Sequence, residues 1–318
     1  MSFSMEVKNE ICRDIDEITY EQALCIVSAV MKIAGSINLL GSNKITFSIS
    51  TENAAITGFL FKLIKKFFNI HCDIMVKKTS TLKKNNIYVI RSKESTDIMD
   101  FLEKINVFNR EENSFIINYK MPQIVPESND LKRQYIKGAF LGGGSLSNPE
   151  KAYHLEFVCE NEEFAIELSN LINTFEVNSK IITRKKNHVI YIKESEQIIN
   201  ILNIIHAHNA LLELENIRIL KEMRNKVNRI VNCETANLTK TVDSSFRHIE
   251  NIELIKNEIG FNRISKHLSD IAKVRLQYPD ESLKEIGSRL EPPLGKSGVN
   301  HRLRKIDKIA EEIRKNDD

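Results

Sequence analysis

The sequence predicts an α+β protein, in which one mixed unit occurs twice and an all-α domain follows. Three observations point there. Two stretches about 109 residues apart share an order of glycine, serine and apolar positions. Each is followed by the same succession of alternating and helical patterns. Beyond residue 212 the alternation stops and only helical periodicity remains.

The repeat is read by setting "VSAVMKIAGSINLLGSNKITFSIS" (27–50) against "YIKGAFLGGGSLSNPEKAYHLEFVCE" (135–160). Gly35-Ser36 falls on Gly144-Ser145, an offset of 109, and Phe47 falls on Phe157, an offset of 110. "FNIHCDI" (68–74) falls on "FEVNSKI" (175–181), an offset of 107, so the drift belongs to loops. The expected organisation is a tandem domain over 1–212, with copies at about 1–109 and 110–212. A bridging helix over 213–231 and a domain over 232–318 follow.

Each copy opens with a helix. Leu24, Val27, Val30, Met31 and Ala34 in one, and Leu131, Tyr135, Ala139 and Leu141 in the other, recur near a period of 3.6. An alternating strand follows, "KITFSIS" or "YHLEFVC", and then a helix, "NAAITGFLFKLIKKFF" or "EEFAIELSNLINTF". Two short strands come next, "CDIMVKK" with "NIYVIR" and "SKIITRK" with "HVIYIK". A helix near 96–104 or 195–206 closes each copy. The order is α-β-α-β-β-α, or α-β-β-α-β-β-α with one more strand after the first helix.

The glycines of "AFLGGGSLS" (139–147) decide between enzyme and scaffold. A phosphate-cradling loop is excluded by pattern, because neither G-x-x-x-x-G-K-[ST] nor a strand followed by G-x-G-x-x-G is present. Ser28, Ala29 and Gly35 in the first copy, with Gly138, Gly142, Gly143 and Gly144 in the second, are small enough to let two helix backbones approach.

A duplicated unit whose first helix ends in Gly-Ser resembles the LAGLIDADG homing endonuclease fold. That resemblance implies two helices packed on one another, two curved sheets forming a saddle for DNA, and one acid from each helix end at a metal site. Aligned on Gly-Ser, the acid's place is taken by Ala34 in "SAVMKIAGS" and by Gly143 in "KGAFLGGGS". Glu150, Glu156 and Glu160 lie downstream at no equivalent position. A hard cation needs carboxylates, so no catalytic residue, metal or other cofactor is expected. The basic turns, Lys77, Lys78, Lys83 and Lys84 in one copy and Arg184, Lys185 and Lys186 in the other, lie where the resemblance implies contact with the DNA backbone. Solvated turns of ordinary composition are the alternative.

The last third begins with "ALLELENIRILKEMRNKVNRIVN" (210–232), a polar helix with Leu211, Leu214, Ile217, Ile219 and Leu220 on one side. Asp243 is placed to cap a second helix that Gly260 stops, and "ISKHLSDIAKVRLQYPD" gives a third, ended by Pro279. Ser282-Leu283-Lys284-Glu285 is a capping box opening a short helix. After "EPPLG", Ser297 is placed to cap a longer helix with Val299, Leu303, Ile306, Ala310 and Ile313 on one stripe. Ser297, His301, Arg304, Lys308 and Lys315 fall opposite, with Lys305 beside them.

A short helix, a turn and a longer helix with a basic outer face form a helix-turn-helix, motif about 282–315, whose second helix enters the major groove. The alternative is a plain amphipathic helix with a solvated face. Two features count against it: the polar face is basic for three turns, and its first turn offers Ser297, Asn300 and His301 for base edges or phosphates. Lys296 is placed for a phosphate. The DNA-contacting set is therefore Lys296, Ser297, Asn300, His301, Arg304, Lys305 and Lys308.

Charge agrees with this division. Residues 1–212 hold 25 basic and 25 acidic side chains, whereas 213–318 hold 21 and 18, so the surplus of +3 sits in the last third. Hydrophobic residues are 42% and charged residues 28%, ordinary for a globular chain. No apolar run approaches the roughly 20 residues of a membrane span, and the first twenty residues do not read as a leader. Five scattered cysteines without CxxC suit reduced, packed thiols rather than zinc. His206 and His208 stand without a Cys or carboxylate constellation, so they are read as a solvent-facing pair.

The two parts together resemble the WhiA family of Gram-positive bacteria. "KGAFLGGGSLSNPEKAYHLEF" and "PPLGKSGVNHRLRKI" carry the resemblance, which spans essentially the whole chain. It implies a DNA-binding transcriptional regulator or nucleoid-associated protein of the cytoplasm, acting in cell division, chromosome segregation or sporulation, without nuclease activity. Double-stranded DNA is the expected partner. A sigma factor or partner regulator docked by the first domain is the alternative, and an active nuclease a third. A monomer suffices for the saddle, because the repeat is already pseudo-symmetric.

Overall fold

In the computed structural model, which describes every residue except 1, 14, 40–44, 79–85, 112–113 and 317–318, the chain separates into two units. These are Met1–Leu220 and Lys221–Asp318.

The first unit holds the repeat. Its first copy runs α2 (Tyr20–Ala34), β1 (Gly35–Leu39), β2 (Ile45–Thr51), α3 (Ala54–Phe68), β3 (Cys72–Lys78), β4 (Asn86–Ser92) and α4 (Asp97–Lys104). Its second runs α5 (Asn129–Gly143), β7 (Gly144–Leu146), β8 (Leu155–Cys159), α6 (Glu162–Asn173), β9 (Lys180–Arg184), β10 (Asn187–Ile192) and α7 (Ser195–Ile204). The longer of the two expected orders is therefore the one adopted. The sheets share one topology, β1-β2-β4-β3 and β7-β8-β10-β9, antiparallel throughout.

The ladders correct one alignment. The row Gly35, Ile49, Ile90, Ile74 crosses the first sheet, and Gly144, Phe157, Ile190, Ile181 crosses the second. Phe157 therefore corresponds to Ile49, not to Phe47. A strand repeats every two residues, so a two-residue slip keeps the same side chains on the buried face. The apolar pattern alone does not distinguish the two registers; pairing with the neighbouring strands does.

A first helix and a hairpin between the copies go beyond the sequence expectation. Helix α1 (Phe3–Ile11) buries Phe3, Val7 and Ile11, spaced four apart, and Ser2 caps it by accepting the Met5 N–H at 3.3 Å. Its Glu10 carboxylate accepts the N–H groups of Asn209 and Ala210 at 2.6 and 3.1 Å, serving open donors at the start of helix α8. The hairpin β5 (Phe108–Glu111) and β6 (Ser114–Ile117) joins the copies.

The bridging helix and the helix expected to start at Asp243 are one element, α8 (His208–Glu258). No Gly or Pro interrupts 208–258, so nothing breaks the helix at Asp243. The hydroxyls of Thr239, Thr241 and Ser244 are absorbed by donating to the carbonyls of Thr235, Asn237 and Lys240. Along its start Leu214 is buried, but Ile219 and Leu220 are exposed, so the expected apolar stripe ends early. Gly260, at φ 76°, ends the run as expected.

The second unit adds α9 (Lys266–Gln277), α10 (Leu283–Ser288) and α11 (Lys296–Asn316). Its core is Ile252 and Ile255 of α8, Leu268, Ile271 and Ala272 of α9, and Ile286 and Leu290. Val299, Leu303, Ile306 and Ala310 of α11 complete it. Because α11 begins at Lys296, Ser297 lies inside its first turn rather than at the cap; the Gly295 carbonyl accepts the Val299 N–H at 3.1 Å.

Candidate nucleic-acid interface

The helix-turn-helix is built from a cap, a glycine and an apolar stripe. Ser282 and Glu285 each bond the other's backbone N–H, fixing the start of α10. The turn folds back onto that helix, and the Leu294 N–H donates to the Gly287 carbonyl at 2.9 Å. A Cβ at Gly287 would run into the Leu294 carbonyl oxygen and stand 3.0 Å from Val299 Cγ2. The turn is long in sequence yet closes tightly, because position 287 has no side chain. Arg289 is committed to this frame. It makes a bidentate pair with Glu281 at 2.7 and 2.5 Å and lies 3.8 Å from the centre of the Tyr278 ring.

On α11 the expected division holds. Val299, Leu303, Ile306 and Ala310 are fully buried, whereas Lys296, Ser297, His301, Arg304, Lys305 and Lys308 are exposed and Asn300 is half-buried. At about 100° per residue these seven span a continuous half-circle. Lys296 and Asn300 form one edge and Lys305 the other. Among the described residues none of the five basic side chains has an ion-pair partner within this unit or elsewhere.

Three acids share the helix: Glu311 and Glu312 lie exposed beyond these seven residues, and Asp307 is engaged. Asp307 accepts the Asn251 side-chain N–H at 2.7 Å and stands 3.7 Å from His248 Nε2 and 3.9 Å from Arg247 Nε. Arg314 donates to the Asn251 amide oxygen at 2.8 Å, so α8 and α11 are tied through a polar link. His248 is 3% exposed, and burial lowers its pKa against the pull of Asp307. The sequence reading missed this link; its only local trace is His248 and Asn251 three apart on one helix face.

The groove-side edge of α11 does not stand alone. Lys296, Asn300 and Arg304 line a groove of about 630 Å³ opposite Lys240, Ser244 and Arg247 of α8, a helix with no place in the DNA-contacting set expected from sequence.

In the first unit, Lys77 and Lys78 lie exposed at the end of edge strand β3. Lys83 and Lys84 lie outside the described residues. Lys185 and Lys186 form the two-residue turn between β9 and β10, Lys185 at φ 58°. Arg184 stays exposed and comes within 3.8 Å of Glu156, which also meets His154 at 3.2 Å.

The two positions where the endonuclease resemblance expects acids come out structurally equivalent. Ala34 and Gly143 are each the last residue of their helix, and a strand begins at the next residue. A side chain at 143 would meet the Val158 carbonyl oxygen and stand 2.7 Å from Ile33 Cγ2. Among the described residues no group of three His, Cys, Asp or Glu could hold a metal ion. His206 and His208 meet edge to face at 5.8 Å.

Residues 21–108 match the family described as the WhiA N-terminal LAGLIDADG-like domain. Residues 132–224 match the WhiA LAGLIDADG-like domain, and residues 227–310 the WhiA C-terminal HTH domain. The chain is 56% identical over 315 residues to a probable cell division protein WhiA of Clostridium acetobutylicum, covering 99% of each. It is 54% identical to one so described from Clostridium beijerinckii, again over 99% of each. A crystal structure of full-length WhiA from Thermatoga maritima is similar at 27% identity and a TM-score of 0.61, covering 98% of this chain and 99% of that one.

Proposed function

The chain belongs to the WhiA family, and from that premise we infer that it is a DNA-binding regulator of cell division that reads duplex DNA with α11. The carrying observation is the half-circle of Lys296, Ser297, Asn300, His301, Arg304, Lys305 and Lys308, exposed and free of ion pairs among the described residues. Lysine and arginine without acidic partners gain most from phosphate, and Asn and His in the first turn suit base edges. His301 and Arg304 carry base reading in this account; Lys296, Lys305 and Lys308 carry phosphate contact. The protein acts at the nucleoid in the cytoplasm.

The tandem domain, 1–212 in this reading, works without cleaving DNA. Ala34 and Gly143 offer no carboxylate, and position 143 has no room for one. Lys77, Lys78, Lys185 and Lys186 are its phosphate contacts. A second reading, docking of a sigma factor or partner regulator, is favoured by β3, whose Ile74 and Val76 are 43% and 52% exposed on an edge strand. A pull-down with residues 1–212 distinguishes the two: capture of the protein without DNA supports docking, and retention by duplex alone supports phosphate contact. Titration of labelled duplex with the full chain, wild type against Arg304→Ala, tests the central reading.

A further inference from the structure

The groove between α8 and α11 has more positive charge than the recognition helix supplies. Lys240 and Arg247 come from α8, Arg275 from α9, and Lys296 and Arg304 from α11. Lys240, Lys296 and Arg304 have no ion-pair partner among the described residues. Of the acids around it, Asp307 is engaged by Asn251, His248 and Arg247, and the Glu281 carboxylate by Arg289, while Asp280 and Glu281 exert the acidic pull on Arg275. Two lining side chains are buried and incompletely served. Arg275 is 1% exposed, and its Nη1 donates to the Glu281 carbonyl while its Nε has no partner. His248 is 3% exposed with Nδ1 unpartnered. A buried guanidinium short of one partner is costly unless an anion stands close by.

We propose that this groove is a phosphate site for one strand of the duplex that α11 reads, so that α8 contacts DNA through Lys240 and Arg247. Three further observations fit a backbone rather than a base edge. The groove is lined by cations and neutral polar groups, Asn237, Thr241, Ser244, Ser282 and Asn300 among them. Lys296 and Asn300 fall on one edge of α11, and Arg304, about 80° round from Lys296, stands between that edge and Ser297 and His301, which turn out for the bases. Lys240 and Arg247 lie seven residues apart, two turns on one face of α8, about 10 Å along its axis.

The assignment rests on the reading of α11 as the DNA-recognising helix, and its test separates the two. Full-length wild type, Lys240→Gln, Arg247→Gln and His301→Ala are titrated with a preferred duplex and a scrambled one at several salt concentrations. Lys240→Gln and Arg247→Gln are expected to weaken both duplexes alike and to lower the slope of log affinity on log salt by about 1 each. His301→Ala is expected to relax sequence preference while leaving that slope within error. An unchanged slope in both α8 variants, with His301→Ala still losing preference, overturns the groove assignment and spares the recognition helix. Absence of duplex binding by the wild type overturns both. Because a free phosphate ester shares this chemistry, ATP is titrated in parallel. ATP binding that depends on Lys240, together with unchanged DNA slopes, makes the groove a small-ligand site and overturns the assignment.

Discussion

Gly138 of α5 lies against Ile26 of α2 so closely that a Cβ at position 138 would stand 2.5 Å from the Ile26 carbonyl oxygen and 2.9 Å from its Cα. Gly142 continues the contact one turn on, where a Cβ would stand 3.2 Å from Ile33 Cβ. The three glycines of 142–144 thus have separate causes. Gly142 meets the other copy's helix, Gly143 lies between Ile33 of that helix and the Val158 carbonyl of its own sheet, and a Cβ at Gly144 would clash with Phe140 of its own helix. Gly35 repeats that last case against Met31, so it serves the helix exit and not the contact between copies. The partner surface is Ile26, Ala29, Val30 and Ile33, the two turns of α2 that lead up to the Ala34-Gly35-Ser36 exit.

Gly138→Ala forces two backbones apart and is expected to cost about 1–3 kcal/mol in urea unfolding of the full chain. Gly58 of α3 is the matched control. A Cβ there meets nothing within 4 Å, so Gly58→Ala is expected to gain about 0.5–1 kcal/mol from helix propensity. Equal effects from the two substitutions would contradict the close-contact account.

Gly143→Asp restores the acid of an endonuclease helix in sequence but not in space. The variant is expected to lose stability and to leave supercoiled plasmid intact after prolonged incubation with magnesium or manganese. Metal-dependent nicking by either the variant or the wild type would show that the site survives.

Lys32, near the end of α2, is half-buried and donates to the Lys120 carbonyl. Burial lowers its pKa from 10.5 to about 7, against a smaller pull from Glu167. Between those values the unfolded chain holds a proton that the folded chain has released, so this group makes stability rise with pH from about 7 to 10.5. Below pH 7 the folded chain carries the buried charge in full. Lys32→Met is therefore expected to raise the melting temperature relative to wild type more at pH 6 than at pH 9.5. A pH-independent difference would place the ammonium in solvent.

Gly287→Ala tests the frame of the interface. The new methyl meets the Leu294 carbonyl, so the turn reopens and α11 shifts on α10. Duplex binding is expected to fall by at least as much as in Arg304→Ala, while cooperative unfolding of the first unit, followed by circular dichroism, stays in place. Unchanged binding would mean that the turn does not set the position of α11.

Much of this was legible in the sequence because it rests on short-range chemistry. The 3.6-residue stripe of Val299, Leu303, Ile306 and Ala310, the Ser282–Glu285 box and the alternation of each strand are local, and the structure adopts them. The register of Phe157 was not legible, because a period of two repeats itself on the same face. The continuity of α8 through Asp243 is not legible either, because Ser and Thr end helices only where their side chains compete for the backbone. Here they bond back into it. The groove lies beyond any local pattern: Lys240 and Arg304 are 64 positions apart and meet only through the packing of Ile252 and Ile255 on Val299, Leu303 and Ile306.

The most direct test of the account is the affinity of the full chain for a duplex selected from random sequence, measured beside a scrambled duplex, for wild type and for His301→Ala with Arg304→Ala. The account predicts a sequence preference in the wild type and a loss of about 1–3 kcal/mol for each contact removed, confined to the selected duplex. Full preference retained by the double variant would place recognition elsewhere than α11 and contradict the account.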